Sequence, residues 1–165
     1  MTTMAETSVT TQVYRVFIKA TPEAIWEAIT DPGWNQKYGY QCPSEYDLRP
    51  GGAYRVLANE GMRAQGSPEV IIDGEVIEAD PPRKLVQTWH ALFSPDMTAE
   101  PAQRLTWEIE GGEGGVTKLT VTHKLDGAPK TAVMVSGESP DAGGGWSFIF
   151  SDLKTLLETG KTLGA

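Results

Sequence analysis

Six candidate β-strands follow one another in the central part of the chain, and mostly short segments rich in glycine and proline separate them. The candidate strands cover residues 45–48, 53–58, 69–79, 84–92, 104–110 and 117–125. Parallel neighbours need long crossover connections, whereas antiparallel neighbours can be joined by tight turns. The spacing therefore predicts hairpins and a large, curved antiparallel sheet.

The last two strands of this series alternate apolar and polar residues, as expected for a sheet that buries one face. The apolar face carries Leu105, Trp107, Ile109, Leu119, Val121, His123 and Leu125. The opposite face carries threonine, glutamate and lysine side chains. Since an apolar face of this size has to be buried against another element, the chain must supply a cover for it.

A helix near the end of the chain is the predicted cover. Ser139 and Pro140 form a capping residue followed by a first-turn proline, and apolar residues then recur at helical spacing. These residues are Trp146, Phe150, Leu153 and Leu157. A helix from residue 140 to residue 159 would be about 30 Å long, enough to lie across six or seven strands. Residues 133–135 are predicted to lie in an apolar loop before it.

The segment before these strands predicts one further strand and two short helices. Residues 13–20 alternate as a strand, and Thr21 followed by Pro22 is a typical helix start. The first helix is expected to end near Asp31, and a second short helix or turn leads to Cys42. This order of elements defines one α+β domain.

Length and charge restrict the organisation and the partners of this domain. A chain of 165 residues buries about 69% of its surface on folding, which suits one core. We assign residues 13–165 to the domain and predict that residues 1–12, rich in threonine and serine, form a disordered tail without the features of a secretory signal. The net charge of −8 disfavours nucleic acid and anionic membranes as partners. No apolar stretch reaches the ~20 residues needed to cross a bilayer.

No metal and no other cofactor is predicted. Cys42 is the single cysteine and the two histidines are far apart, so no metal-ligand spacing exists, and a reducing, cytoplasmic setting is expected. The glycine run 143–145 lacks the lysine and hydroxyl residue of a phosphate-binding loop. Close packing and a hinge at a cavity mouth both remain open for these glycines, as do a monomer and a homodimer for the assembly.

Several short motifs occur in a characteristic order. They are the segment 20–32 with Trp26, Leu48-Arg49-Pro50-Gly51-Gly52, the segment 74–85, Trp89, the segment 119–123, and Gly145-Trp146 followed by Leu153, Leu156 and Leu157. On these motifs, residues 13–161 resemble the SRPBCC, or START-like, superfamily, and within it the branch related to the activator of the heat-shock-protein-90 ATPase.

The resemblance implies a helix-grip fold. In this fold a curved antiparallel sheet, here of six or seven strands, wraps around a long C-terminal helix and often leaves a cavity for an apolar ligand. Relatives include lipid carriers, polyketide cyclases, coenzyme-binding proteins and chaperone activators. The resemblance therefore implies no single activity, and the function has to be argued from the site.

Aromatic residues are the main candidates for a binding site in such a cavity. Seven of them could converge on one concave space: Trp26, Tyr38, Tyr54, Trp89, Trp107, Trp146 and Phe150. Gln87 and His123 complete the predicted ligand-binding set as polar groups that would orient a ligand. Core packing is the alternative explanation for each ring, because large aromatic side chains dominate burial in small domains.

His123 is the one candidate for a catalytic residue, because alternation places its ring on the apolar face with Leu119 and Val121. No carboxylate shares that face to complete a triad, so a neutral core histidine is the alternative. His90 is expected to point away from that face. Cys42 is either a reactive thiol or a buried one.

Three functions are consistent with these features. The first is non-enzymatic binding of a small hydrophobic or aromatic molecule, lipids included, which requires a cavity of about 300 Å³ or more and open space between Trp107 and Trp146. The second is a chaperone-associated interaction module similar to the ATPase activators. The third is a cofactor-independent polyketide cyclase, aromatase or hydrolase in which His123 acts with Tyr54 or a bound water.

Overall fold

The computed structural model describes residues 11–138 and 143–164, which form an α+β fold around one seven-stranded sheet. The strands are β1 (Thr11–Lys19), β2 (Ser44–Tyr46), β3 (Ala53–Leu57), β4 (Val70–Asp80), β5 (Lys84–Ala91), β6 (Gln103–Gly111) and β7 (Val116–Lys124). Their order is β1-β7-β6-β5-β4-β3-β2, and every neighbouring pair is antiparallel. The predicted helix-grip arrangement is confirmed, with β1 and β2 as the edges of the sheet.

Six α-helices accompany the sheet in the described part of the chain. They are α1 (Pro22–Thr30), α2 (Pro32–Asn35), α3 (Glu60–Ala64), α4 (Pro95–Thr98), α5 (Pro129–Ser136) and α6 (Gly145–Thr159). Among these residues, no helix combines the length and the apolar character that crossing a bilayer requires. The two short helices predicted after the first strand are α1 and α2, whereas α3 and α4 occur in segments predicted as irregular.

The first strand begins at Thr11, two residues before the predicted domain boundary. Thr11 and Gln12, which the sequence analysis assigned to the tail, pair with Lys124 and His123 of β7. Residues 1–10, the rest of the predicted tail, lie outside the described residues.

Helix α1 begins where its capping signal predicts. The Thr21 hydroxyl accepts a hydrogen bond from the backbone N–H of Ala24 (3.1 Å), and Pro22 occupies the first turn. Asp31 follows the last residue of α1 and caps α2 by accepting from the N–H of Gly33 (3.1 Å). Local side-chain chemistry therefore determines this corner of the fold.

Helix α5 replaces the loop predicted at residues 133–135. Pro129 occupies its first turn, but its N-terminal N–H groups are satisfied from another part of the chain. The carboxylate of Glu100 accepts hydrogen bonds from the backbone N–H of Lys130 (2.7 Å) and of Thr131 (3.1 Å). Because the capping group lies 30 positions away in sequence, the local pattern gave no sign of this helix.

Helix α6 is shorter than predicted. Ser139 and Pro140, its predicted start, lie outside the described residues, but residues 143–144 form a turn and the helix begins at Gly145. Fifteen residues span about 22 Å rather than the ~30 Å expected. The helix ends before Gly160, as predicted, and this glycine adopts a left-handed φ of 82°.

Gly145 packs so closely against α5 that only glycine fits. A Cβ here would lie 2.2 Å from the carbonyl oxygen of Val135, and the φ of 63° falls in the left-handed region. Its N–H donates to the hydroxyl of Tyr40 (3.0 Å). Of the two roles left open for the glycine run, close packing therefore applies at this position.

Helix α6 covers part of the apolar face of the sheet and then follows the edge strand β1. Its buried side chains are Trp146, Phe150, Asp152 and Leu153. The Lys154 ammonium donates to the carbonyl oxygen of Phe17 (2.7 Å), and the Glu158 carboxylate accepts from the backbone N–H of Lys19 (2.7 Å). Lys154 and Glu158 also pair with each other (2.8 Å), so two backbone groups of the open edge are satisfied by one ion pair.

Replacing Gly145 by alanine should lower the free energy of unfolding by about 2–4 kcal/mol, because the new Cβ meets backbone atoms and the left-handed φ is unfavourable. Gly160→Ala is the matched control, since its φ is also left-handed but no atom lies within 4 Å of the Cβ position. We expect it to cost only about 1 kcal/mol in urea unfolding. Equal losses in the two variants would show that the contact with α5 does not matter.

Candidate functional site

A cavity of about 540 Å³ lies between the sheet and α6. Its volume exceeds the ~300 Å³ that the ligand-binding hypothesis requires. The lining residues are Ile29, Asn35, Tyr38, Gly39, Tyr40, Cys42, Ser44, Tyr46, Tyr54, Val56, Met62, Ile71, Ile72, Trp89, Phe93, Trp107, Met134, Val135, Gly143, Gly145, Trp146 and Ile149. Strands β2–β6 all contribute, whereas no lining residue comes from β1 or β7.

Five of the nine predicted ligand-binding residues line the cavity: Tyr38, Tyr54, Trp89, Trp107 and Trp146. The other four, Trp26, Gln87, His123 and Phe150, do not belong to the lining. Trp26 packs against the core from α1, and Phe150, one turn after Trp146 on α6, packs against Trp107 with ring centroids 6.3 Å apart. These two rings therefore behave as core residues, the alternative that the sequence left open.

The space between Trp107 and Trp146 is filled by the two rings themselves. They meet edge to face, with centroids 5.4 Å apart and planes at 87°. The open space predicted between Trp107 and Trp146 is therefore absent, although the cavity does lie between the sheet and α6. The open volume lies beside this contact, over β2–β5, where Tyr46, Val56 and Ile71 form part of the wall.

Gln87 holds two of the lining residues although it does not line the cavity. Its side chain is fully buried, and its Oε1 atom accepts hydrogen bonds from the Tyr46 hydroxyl (2.7 Å) and from the Trp107 indole N–H (3.0 Å). Both lone pairs of this oxygen are thereby used. Gln87 is a positioning residue for the polar end of the wall.

Tyr54 and Tyr46 form this polar end together. Their rings stack in a tilted arrangement with centroids 4.7 Å apart. Burial raises the pKa of the Tyr54 hydroxyl above its ordinary value, although side-chain hydrogen bonds with Trp89, Gln87, Tyr46 and Ser44 partly oppose this shift. Burial also raises the pKa of Tyr46. Both phenols are therefore protonated and uncharged at neutral pH.

His123 is a buried, neutral histidine, the alternative to a catalytic base. The indole N–H of Trp146 donates to its Nδ1 atom (3.1 Å), so the ring proton is on Nε2, which donates to Oε1 of Gln103 (3.3 Å). Burial lowers the pKa of His123 to about 3. With both nitrogens engaged and no place in the cavity wall, the ring orients Trp146 and has no access to a bound molecule.

The loop between α2 and β2 closes one side of the cavity, and hydrogen bonds hold this loop in place. The Asn35 side chain donates to the carbonyl oxygens of Ile29 (3.0 Å) and Ser44 (2.9 Å). The buried carboxylate of Asp152 on α6 accepts from the backbone N–H of Gly39 (2.9 Å) and of Leu163 (2.7 Å). Because the loop is held from two sides, this part of the wall is preformed.

Cys42 lines the cavity as a thiol. Burial raises its pKa, and its sulfur lies 3.5 Å from the carbonyl oxygen of Tyr40 and 3.6 Å from the sulfur of Met62. These surroundings do not favour the nucleophilic thiolate. His90 lies on the outer face, as predicted, where Nε2 is 3.1 Å from the carbonyl oxygen of Thr98. Across residues 11–138 and 143–164, no group of three metal-ligating side chains occurs.

Further lining residues that the sequence did not indicate lie on β2, β3 and β4, on α3, α5 and α6, and in the segment after β5. Tyr46, Val56, Ile71, Met62, Phe93, Met134 and Ile149 all line the cavity. The alternation of β3 contained a usable signal, because Tyr54 and Val56 share a face, and Tyr46 pairs with Tyr54 across the ladder. Met62 and Met134 lie on helices that were not predicted, and the sequence indicated Met134 only as part of the apolar segment 133–135.

Comparisons with known proteins agree with this architecture. A family model described as Activator of Hsp90 ATPase homolog 1-like protein matches residues 19–158. No curated protein matches the sequence significantly.

Solved structures share the fold at low sequence identity. CalU16 from Micromonospora echinospora is 20% identical with a TM-score of 0.63, over 91% of this chain and 77% of that chain. DynU16, a protein of the dynemicin biosynthetic locus, is 24% identical with a TM-score of 0.65, and the match covers 92% of this chain but 48% of DynU16. PFC0360w, an HSP90 activator from Plasmodium falciparum, is 22% identical with a TM-score of 0.53, over 94% and 91% of the two chains. At these identities the likeness shows the fold alone.

The neutral state of His123 predicts a loss of stability in acid. Its folded-state pKa of about 3 lies below the ordinary 6.5, so its contribution is complete above pH 6.5 and is lost as the pH falls toward 3. One such group accounts for roughly 1 kcal/mol per pH unit in that window. Urea unfolding at several pH values should show a shallower pH dependence for His123→Gln than for the wild type. An unchanged dependence would contradict the assignment.

Removing the acceptor of Gln87 should destabilise the protein through its two partners. We expect Gln87→Met to lower the free energy of unfolding by about 2–4 kcal/mol, because the buried Tyr46 hydroxyl and Trp107 N–H lose their acceptor. Adding Tyr46→Phe should recover part of the loss, since one orphaned donor is then removed. A double variant less stable than Gln87→Met would show that this hydrogen bond is not the cause.

Proposed function

The chain belongs to the Activator of Hsp90 ATPase homolog 1-like family, and from this premise we propose that it binds a small hydrophobic or aromatic molecule in the cavity without transforming it. The observation that carries the proposal is the cavity itself, about 540 Å³ in volume and walled by aromatic and aliphatic side chains. Volume and lining of this kind are typical of small-molecule sites. The proposal includes the cytoplasmic setting expected from the single cysteine.

The preformed wall supports binding more than catalysis. Trp107 and Trp146 are held from behind by Gln87 and His123, so these rings need no reordering when a ligand enters. The candidate base of the enzymatic alternative, His123, has both ring nitrogens engaged inside the protein. A cyclase, aromatase or hydrolase mechanism would need a different proton acceptor.

A chaperone-associated module is the second candidate function. Two observations favour it: the description of the family, and the fold shared with an HSP90 activator from Plasmodium falciparum. The direct test measures the ATPase rate of purified Hsp90 with and without this chain. Stimulation that persists in a cavity-blocked variant would support an interaction function independent of ligand binding.

Thermal unfolding with a panel of fatty acids, flavonoids, quinones and polyketide-like aromatics should identify binding molecules. A ligand present at about 100 times its Kd adds about 2.7 kcal/mol, which raises the Tm by about 5–10 °C for a chain of this size. Ile72→Trp, which fills the cavity from β4, should abolish the shift. Ile77→Trp is the matched control, because Ile77 lies on the same strand but is exposed and outside the lining.

Either of two results would contradict ligand binding in this cavity. The first is the absence of any Tm shift across the panel. The second is a shift that survives Ile72→Trp unchanged while the variant itself remains folded, because the ligand would then bind elsewhere.

A further inference from the structure

The wall of the cavity carries no charge. Among the described lining residues there is no aspartate, glutamate, lysine, arginine or histidine. The phenols of Tyr38, Tyr46 and Tyr54 remain protonated because burial raises their pKa. An ionised ligand would therefore lose its hydration without gaining a counter-charge, which is costly in an apolar site.

The arginine next to the lining residue of α3 does not supply the missing counter-charge. Arg63 follows Met62, but its side chain is exposed and its guanidinium donates to the backbone carbonyl oxygen of Ala58 (2.6 Å). A carboxylate held deep in the cavity would have no such partner.

The hydrogen-bond donors of the wall are also largely committed to protein acceptors. The Tyr38 hydroxyl donates to the Ala28 carbonyl (2.8 Å), the Tyr46 hydroxyl and the Trp107 N–H donate to Gln87 (2.7 and 3.0 Å), and the Trp146 N–H donates to His123 (3.1 Å). The hydroxyl oxygens of Tyr38 and Tyr46, in contrast, keep the capacity to accept a hydrogen bond, whereas the Tyr54 oxygen already interacts with the Trp89 indole, which can only donate. A ligand hydroxyl can donate to the Tyr38 and Tyr46 oxygens, whereas a carboxylate can only accept.

We propose that the ligand is an uncharged aromatic molecule whose polar group is a hydroxyl, and that the site rejects carboxylates of the same shape. This inference rests on the proposed function and specifies its ligand class. It predicts that phenols and neutral polycyclic aromatics bind more tightly than fatty acids and aromatic acids. The hydrophobic lining alone does not distinguish these two groups of ligands.

Three probes with one ring system test the proposal: 2-naphthol, 2-methoxynaphthalene and 2-naphthoate. Titration calorimetry of the wild-type protein at pH 7.5 should give the tightest binding for 2-naphthol. We expect 2-naphthoate to bind at least about tenfold more weakly, a difference of about 1.4 kcal/mol. The methyl ether, which is neutral but cannot donate, should lie between them.

The net charge of −8 also repels anions, so a second experiment has to separate the cavity wall from the overall field. Met134→Lys places a cation in the lining of α5, and Val133→Lys places the same charge at the neighbouring exposed position outside the lining. The affinity ratio of naphthoate to naphthol should rise about tenfold in Met134→Lys and stay at the wild-type value in Val133→Lys.

Each outcome decides between the proposals. If the wild type binds 2-naphthoate as tightly as 2-naphthol, the inference about charge is overturned while binding in the cavity stands. If Met134→Lys and Val133→Lys raise the ratio equally, the overall field explains the selectivity and the inference is again overturned. If none of the three probes binds, the inference is overturned, and the Tm shifts across the ligand panel decide separately whether the cavity binds any ligand.

Discussion

One helix has to cover the apolar face of a seven-stranded sheet, and it is too short to do so. Six strand spacings of about 4.8 Å make the sheet roughly 29 Å wide, whereas the 15 residues of α6 span about 22 Å. The helix starts among the tryptophans of β5 and β6 and ends on the edge of β1. The half of the sheet from β2 to β5 is therefore covered by loops and by residues of α1, α2, α3 and α5, and the cavity lies beneath this incomplete cover.

Two buried polar side chains make the boundary of this cavity rigid. Gln87 on β5 accepts from Trp107, and His123 on β7 accepts from Trp146, so each indole is fixed by a hydrogen bond on the side away from the open volume. The two indoles then pack against each other and divide solid core from cavity. Every buried side-chain polar atom in the described residues has a partner, so the polar groups near the cavity stabilise its shape before any ligand binds.

Elements whose signals are local in sequence could be predicted, and those that depend on distant residues could not. The capping hydroxyl of Thr21 lies three residues from the N–H it satisfies, so α1 could be recognised from the sequence. Helix α5 escaped prediction because Glu100 caps it from another loop. The late start of α6 at Gly145 comes with a close contact to the carbonyl oxygen of Val135, which no periodicity records.

The candidate site divides in the same way. Alternation placed Trp107 on the inner face of the sheet, and it lines the cavity together with Tyr54 and Trp89, which were predicted as aromatic candidates. It could not tell which part of that face α6 leaves uncovered, because this depends on where the helix begins and which edge it follows. For this reason His123 and Gln87 were predicted to contact the ligand, although they hold lining residues in place from outside the cavity wall.

The contact between α6 and β1 also limits the pairing of this edge strand with another chain. An edge strand with free backbone groups is a template for pairing with another chain, and β1, nine residues long, is the longer of the two edges. The Lys154–Glu158 pair occupies a carbonyl and an N–H of that edge, and the other edge, β2, has only three residues. Pairing of the sheet with another molecule is thus discouraged at both edges. This protects the protein against aggregation, although its apolar interior is only partly filled.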